Sequence, residues 1–210
     1  MEFINIVSCV RGFLSRSDSS DNLNEIKMIL NNLDVLGYKP ATTELQKCSD
    51  SVNPEPELEA AIFHLQAECT RITHDAERRR FYGLLSPTYG VQSSGYKRAT
   101  ELSLLIALCY SLLESDRVKE YLRHSKTHFS KYAEAEARRL HNEEQKIMLL
   151  AGYVPVMWDF PTYYSTARDK IDHERIRFEQ LLDDWDRQSK DWAQLQDLDP
   201  SPPVKGRSRQ

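Results

Sequence analysis

Residues 102–113 read LSLLIALCYSLL, and this apolar run decides the fold. Two serines, Ser103 and Ser111, are its only small polar members. The run is well short of the roughly 20 residues that a bilayer-spanning helix needs. A helix that is apolar almost all round is normally surrounded by other helices. The run therefore predicts the fully buried central helix of a helical bundle.

Glycine and proline mark where the neighbouring helices begin and end. The chain has 7 glycines and 9 prolines in 210 residues, and both residue types disfavour helix interiors. Three long stretches contain neither type, and we expect them to be helical: 57–82, 96–151 and 162–199. The breakers concentrate in four segments that we interpret as connections: 37–40, 53–56, 83–95 and 152–161.

The first of these stretches has apolar residues at alternating spacings of four and three, as one face of a helix requires. Asn53 followed by Pro54 is a suitable N-cap with proline in the first helical position. The residues of the apolar face are Leu58, Ile62, Leu65, Cys69, Ile72 and Ala76.

The last stretch has apolar residues every seven positions, which predicts a long C-terminal helix of coiled-coil type. Thr166 with Asp169 resembles a capping box at its start. Glu174 and Gln188 interrupt the companion row, to which Leu181 belongs. The seven-residue row consists of Ile171, Phe178, Trp185 and Trp192.

The middle stretch exceeds the usual length of one globular helix. Polar capping residues predict breaks near Ser115–Asp116 and near Ser125–Thr127. Another helix is predicted over Asn22–Leu36, and Gly37 is placed to end it. The only segment that looks extended is Tyr153–Val156.

These elements together predict an all-α bundle of about six or seven helices. We expect one domain over residues 1–199, in which residues 1–40 are a candidate for a loosely attached helical hairpin. Residues 200–210 are rich in proline and polar residues and predict a disordered tail. Within that tail, Pro200–Lys205 matches a proline-rich ligand pattern.

Charge and cysteine content limit the function classes. The chain has 28 basic and 32 acidic side chains, a net charge of −4, which argues against a dedicated duplex-DNA binder. Four scattered cysteines form no close pair, and Cys69 and Cys109 are expected to be small buried hydrophobes. Glu2 stands where a signal peptide carries positive charge. We therefore expect an intracellular protein, located in the cytoplasm or alternatively in the nucleus.

Signatures of several enzyme classes are absent from the sequence. It contains no nucleophile elbow, P-loop or glycine-rich dinucleotide loop, and no Glu-x-x-His for a di-iron bundle. His124 and His128 share a helix face at a spacing that suits zinc, but no glutamate follows His124. We therefore assign no catalytic residue, metal or cofactor, and favour a protein that is not an enzyme.

Two alternatives remain open at this stage. His74–Asp75 with the earlier His64 resembles the ligand pattern of the HD phosphohydrolases, which would make the chain metal-dependent. A basic and aromatic run is typical of single-strand nucleic-acid binding, although in a chain with 32 acidic residues we favour pairing with acidic helix faces. The members of this run are Arg78, Arg79, Arg80, Phe81 and Tyr82, with Lys97–Arg98 and Arg138–Arg139 as additions.

The aromatic segment 152–164, between two predicted helices, is the main reason for our preferred interpretation of the function. Loops are usually polar, so such a segment either packs over the bundle or binds a partner. We expect a helical subunit or adaptor of a larger assembly, which binds a protein or a second copy through this segment and the last helix. The candidate contact residues are Tyr153, Met157, Trp158, Phe160, Tyr163, Trp185 and Trp192.

Overall fold

Four helices make up the part of the chain that the computed structural model describes. Described are residues 41, 43–44, 46–47, 55–82, 89–113, 115–151 and 160–198, with side chains except at 80–82, 89, 150, 151, 160 and 188–198. No strand occurs among these residues, and the all-α prediction is confirmed. The helices are α1 (Glu55–Tyr82), α2 (Tyr89–Leu112), α3 (Val118–Ala151) and α4 (Phe160–Leu198).

Successive helices run antiparallel. Cys69 on α1 donates to the carbonyl oxygen of Ala99 on α2 at 3.7 Å. Gln66, earlier on α1, donates to the Tyr110 hydroxyl, later on α2, at 3.0 Å. A position earlier on one helix therefore meets a position later on the next, as in an up-and-down bundle.

The same direction rule holds for the other two pairs. Ser93 on α2 donates to Glu136 on α3 at 2.6 Å, while the Tyr110 and Tyr121 rings lie 5.3 Å apart. Tyr132 on α3 donates to Glu174 on α4 at 2.8 Å. Phe129, earlier on α3, stacks on Phe178, later on α4.

α2 is the central helix, as the sequence predicts. Every residue from 99 to 110 is buried, and five leucine and isoleucine side chains there are fully enclosed. One core cluster joins α2 to α1, and a second joins it to α3 and α4. The apolar run thus has helices on more than one side, which explains why it lacks a polar face. These five residues are Leu102, Leu104, Leu105, Ile106 and Leu108.

The face predicted for α1 is also confirmed, since all six of its apolar residues are buried. Both cysteines predicted to be interior, Cys69 and Cys109, are buried free thiols. The proposed cap at Asn53–Pro54 lies outside the described residues.

The interpretation of residues 83–95 as a connection is wrong over its second half, because α2 begins at Tyr89. Gly90 and Gly95 lie inside the helix. A Cβ atom at position 95 would lie 3.2 Å from the Cβ of Ala76 on α1. The glycine therefore permits a close approach of two helices, and this contact outweighs its low helix propensity.

The break predicted near Ser125–Thr127 is wrong, whereas the one near Ser115–Asp116 is confirmed. Ser125 donates to the carbonyl oxygen of Leu122 at 2.8 Å, and Thr127 to that of Arg123 at 3.0 Å. Their hydroxyls are satisfied inside a continuous helix and cap nothing.

The capping box at Thr166 is wrong for the same reason. Thr166 lies within α4 and donates to the carbonyl oxygen of Thr162 at 2.8 Å. The helix begins earlier, at Phe160, so that Pro161 occupies its first turn, where a missing N–H is tolerated.

The helices begin and end at different heights, so that neither end of the bundle is level. Since Ser93 lies beside Glu136, the start of α2 at Tyr89 lies opposite about residue 140 of α3. α3 then continues to Ala151, about 16 Å further at 1.5 Å per residue. The α3–α4 hairpin therefore projects beyond the ends of α1 and α2.

Several predictions fall on residues outside the described part. They concern the N-terminal helices, the extended segment Tyr153–Val156 and the tail 200–210. The total of six or seven helices depends on these segments and stays a prediction.

Candidate functional site

The projecting end of the α3–α4 hairpin has an exposed apolar surface. Met148, Leu149 and Tyr163 are 54%, 70% and 51% exposed. In the register set by the Phe129–Phe178 stack, position 163 of α4 lies opposite about residue 144 of α3, one helical turn from Met148. We call these three residues the tip patch. Exposed large apolar residues that cluster in this way mark interaction sites on soluble proteins.

The hairpin beneath the tip patch is built from its own small core. Leu140, Tyr164 and Ile171 are buried there, with Ile147 and Ala167 packed against them. The Arg168 guanidinium donates to Glu144 across the two helices. This packing holds both helices in place and presents the tip patch on a supported surface.

The tip patch adjoins the aromatic segment that the sequence singles out. Tyr163 belongs to both, and its ring meets the buried Tyr164 ring edge-on at 5.1 Å. The side chains of the other candidates in that segment lie outside the described residues, and their role stays a prediction. They are Tyr153, Met157, Trp158 and Phe160.

Trp185, the remaining described candidate contact, lies inside the bundle. Its side chain is 5% exposed and shares a core cluster with Phe178 and Leu181. Phe178 stacks on Phe129 of α3 with ring centroids 4.6 Å apart. Up to Trp185, therefore, the seven-residue row of α4 packs against its own chain, while the side chain of Trp192 lies outside the described residues.

A second distinctive feature is a buried charged layer between α2, α3 and α4. Glu174 is 1% exposed and accepts a hydrogen bond from the Tyr132 hydroxyl at 2.8 Å. Lys97 Nζ lies 3.9 Å from Glu174 Oε1. Glu101, one turn after Lys97, is 6% exposed. We call these four residues the acid layer.

The acid layer changes the protonation of its members. Burial raises the pKa of Glu101 to about 7, and the Glu174 carboxylate adds to the rise, while Lys97 and Arg98 oppose it. Burial and the bond to Glu174 raise the pKa of Tyr132, so its hydroxyl remains a neutral donor. Glu101 is therefore a buried carboxyl group that exchanges a proton near neutral pH.

A neighbouring carboxylate shows the opposite behaviour. Glu136 is desolvated, which alone would raise its pKa, but bonds from Arg139 and Ser93 hold the pKa below its ordinary value. Arg139 also donates to Glu143 at 2.7 Å. This group stays ionised and ties α2 to α3.

The acid layer does not open onto a substrate-sized cavity that the structure shows. A shallow groove of about 320 Å³ runs along the outside of α3 and α4. Phe129, Phe178 and Arg175 line it, and neither Glu101 nor Glu174 does.

His124 and His128 lie one turn apart on α3. Among the described residues, no group of three or more histidine, cysteine, aspartate or glutamate side chains is arranged to hold a metal ion. His64 and His74 are exposed, and Asp75 accepts a hydrogen bond from Arg71 at 3.2 Å. Burial, Lys131 and His124 lower the pKa of His128 to about 4, so it is neutral.

Three basic residues that were added to the nucleic-acid alternative lie beside carboxylates. Arg138 donates to Glu134, and Arg139 donates to Glu136 and Glu143. Lys97 faces the acid layer. Arg78 and Arg79 are exposed, and the side chains at Arg80, Phe81 and Tyr82 lie outside the described residues.

Sequence reasoning missed the tip patch and the acid layer. The signal for the tip patch was the run Ile147–Leu150, since four consecutive apolar residues near a helix end cannot all face one core. The signal for the acid layer was Glu174 itself, a carboxylate seven residues before Leu181 in the companion row.

Comparisons with known proteins give no information about the function of the chain. No protein-family model, curated protein or solved structure matches the chain. None of the helices that the structure describes is long and apolar enough to cross a membrane.

Proposed function

We propose that this chain is a helical subunit or adaptor that binds a protein partner through the tip patch. The observation that carries the proposal is the exposure of Met148, Leu149 and Tyr163 together on a hairpin that projects from the bundle. Tyrosine and methionine are enriched in the buried centres of protein interfaces. Methionine also adapts its shape to a partner.

The proposed interface extends from the tip patch into the earlier residues of the aromatic segment, 152–160. Its sequence supplies Tyr153, Met157 and Trp158, five to ten residues before Tyr163 in the chain. Large aromatic residues are the usual anchors of binding energy. The tip patch would then be the described edge of a larger apolar surface.

A second contact is proposed for the end of α4. Because Phe129 stacks on Phe178, the start of α3 at Val118 lies opposite about residue 189. α4 continues to Leu198, beyond that point. Trp192 continues the seven-residue row in this extension, which supports a coiled-coil type of contact.

The test uses two double variants that are matched in chemistry. Met148→Asp/Leu149→Asp places two charges on the tip patch. Phe63→Asp/Ile176→Asp makes the same kind of change at side chains that are 66% and 53% exposed elsewhere. A photo-crosslinking residue replaces Tyr163 in each variant and in the otherwise unchanged protein.

We expect the probe at position 163 to crosslink to another polypeptide in cells of the source organism. The tip variant should lose this crosslink, whereas the control variant should retain it. Analysis of the crosslinked mass distinguishes a second copy from a different protein. A crosslink that survives the tip variant, or none at all, would refute the proposal.

A further inference from the structure

The groove between α3 and α4 has an apolar base and charged walls. The stacked rings of Phe129 and Phe178 line its base, and the small side chains of Ala133 and Ala137 leave it open. Ile176, directly after a lining residue of α4, is 53% exposed. We call the outer surface of residues 123–138 and 169–183 the groove face. The charged side chains that line the groove are Lys126, Glu134, Arg175 and Glu179.

These four charges have opposite signs on the two helices. The Phe129–Phe178 stack sets the register, in which Glu179 lies opposite about residue 128 of α3. Lys126 is therefore within about 3 Å of the height of Glu179. Arg175 lies opposite about residue 132, within about 3 Å of the height of Glu134. At both heights, one helix carries a cation and the other an anion.

The same opposition of charge continues on the groove face at either end of the groove. Arg123 lies opposite about residue 184 of α4, beside the exposed Asp183. Arg138 lies opposite about residue 169, which is the exposed Asp169. Four successive levels therefore have a cation on one helix and an anion on the other.

A surface of this kind is complementary to itself. A two-fold axis that runs along the groove places α3 of one copy against α4 of a second copy and leaves the heights unchanged. Lys126 then faces Glu179 of the second copy, and Arg175 faces Glu134 of the second copy. An isologous interface requires this match between a patch and its own copy. Opposite charges at several levels also fix the register of such a contact.

The single chain leaves several of these charges without an opposite charge in contact. Lys126 and Glu179 line the same groove, yet neither takes part in an ion pair among the described residues. Glu134 accepts from Arg138, and Arg175 lies 3.3 Å from an aspartate on its own helix. Exposed pairs within one helix contribute little, so they compete weakly with contacts to a second copy.

We propose that two copies of this chain associate through the groove face, with α3 of each copy against α4 of the other. The four helices then form an antiparallel bundle, and the contact covers Ile176. Because charged groups supply most of the complementarity, the dimer is weak and sensitive to salt. The contact does not use the tip patch, which stays accessible to another protein.

Charge reversal on the full chain, measured by sedimentation velocity over a range of concentrations, tests the proposal. Self-association should be present at about 50 mM salt and weaken at about 500 mM. Lys126→Glu and Glu179→Lys should each weaken it at least about tenfold, because the dimer contains this contact twice and repulsion replaces attraction. An equimolar mixture of the two variants should form a mixed dimer, because each reversed side chain then faces an opposite charge.

The controls are Arg79→Glu and Glu59→Lys, at exposed positions of α1. They change the net charge of the chain by the same amounts and should leave self-association unaltered. A chain that is monomeric at every concentration in low salt would overturn the inference. So would a dimer that persists in either single variant, a mixture of the two variants that stays monomeric, or an equal loss of association in the controls.

Discussion

Replacing Glu101 by glutamine should make the bundle more stable, and increasingly so as the pH rises. The folded protein holds a proton on Glu101 up to about pH 7, whereas an exposed glutamate releases it near 4.5. The raised pKa gives stability that is fully present below 4.5 and is lost as the pH rises through 7. The difference between the two values corresponds to about 3 kcal/mol of unfolding free energy.

His128 opposes this trend in the unaltered protein. Its pKa falls from 6.5 to about 4 on folding, mainly through burial. This gives stability that is present above 6.5 and is lost as the pH falls through 4. The two slopes have opposite signs and overlap between pH 4.5 and 6.5, so the pH profile of the unaltered protein would conceal both.

The difference between variant and unaltered protein removes the His128 contribution. Urea unfolding followed by circular dichroism at pH 5, 6, 7 and 8 gives the unfolding free energy of each. We expect the advantage of Glu101→Gln to grow by about 2–3 kcal/mol between pH 5 and pH 8. As a control, Glu136→Gln removes a carboxylate whose pKa is lowered, and its difference should stay flat over this range.

An advantage of Glu101→Gln that is the same at all four pH values would show that Glu101 ionises normally in the fold. An advantage that shrinks as the pH rises would reverse the sign of the argument. Either result refutes the account of the acid layer.

Three further substitutions test the packing. Trp185→Ala should lower the unfolding free energy by about 3–5 kcal/mol without changing the solution mass, because the ring fills the core; a changed mass would assign it to an interface. Gly95→Val should destabilise by at least about 1–3 kcal/mol in urea unfolding, since its Cβ would lie 3.2 Å from that of Ala76. Gly90→Ala should be neutral or stabilise by up to about 1 kcal/mol in the same assay, because among the described residues its Cβ would meet only Arg139 Cδ, at 3.5 Å.

Glycine, proline and periodicity predict most of the described fold. They identify the buried central helix, the apolar face of α1, the long last helix and the turn near Ser115. They fail at Gly95, where the close contact with Ala76 favours glycine although glycine has a low helix propensity. They also fail at Ser125 and Thr166, whose hydroxyls bond within the helix. Composition alone does not distinguish a capping hydroxyl from one that bonds to its own helix.

The candidate site is less predictable because it depends on register. Met148 and Leu149 are exposed because α2 begins opposite about residue 140 of α3 and leaves the hairpin tip uncovered. No local pattern in α3 encodes where another helix begins. For the same reason, the row containing Trp185 is compatible with an interface or a core, and only the fold assigns it to the core.

The interruption of the heptad pattern at Glu174 has a physical role that an apolar residue could not fill. The apolar row of α4 repeats every seven residues, so a shift of α4 by one heptad would still bury large side chains. Such a shift would place Leu181 or Ala167 opposite Tyr132 and leave its buried hydroxyl without the acceptor at 2.8 Å. We therefore expect the apolar residues to supply most of the attraction and the Tyr132–Glu174 bond to select one register. A contact whose register depends on a few polar groups responds to their protonation, because a change of one charge acts on the specific arrangement and leaves the general attraction unaltered.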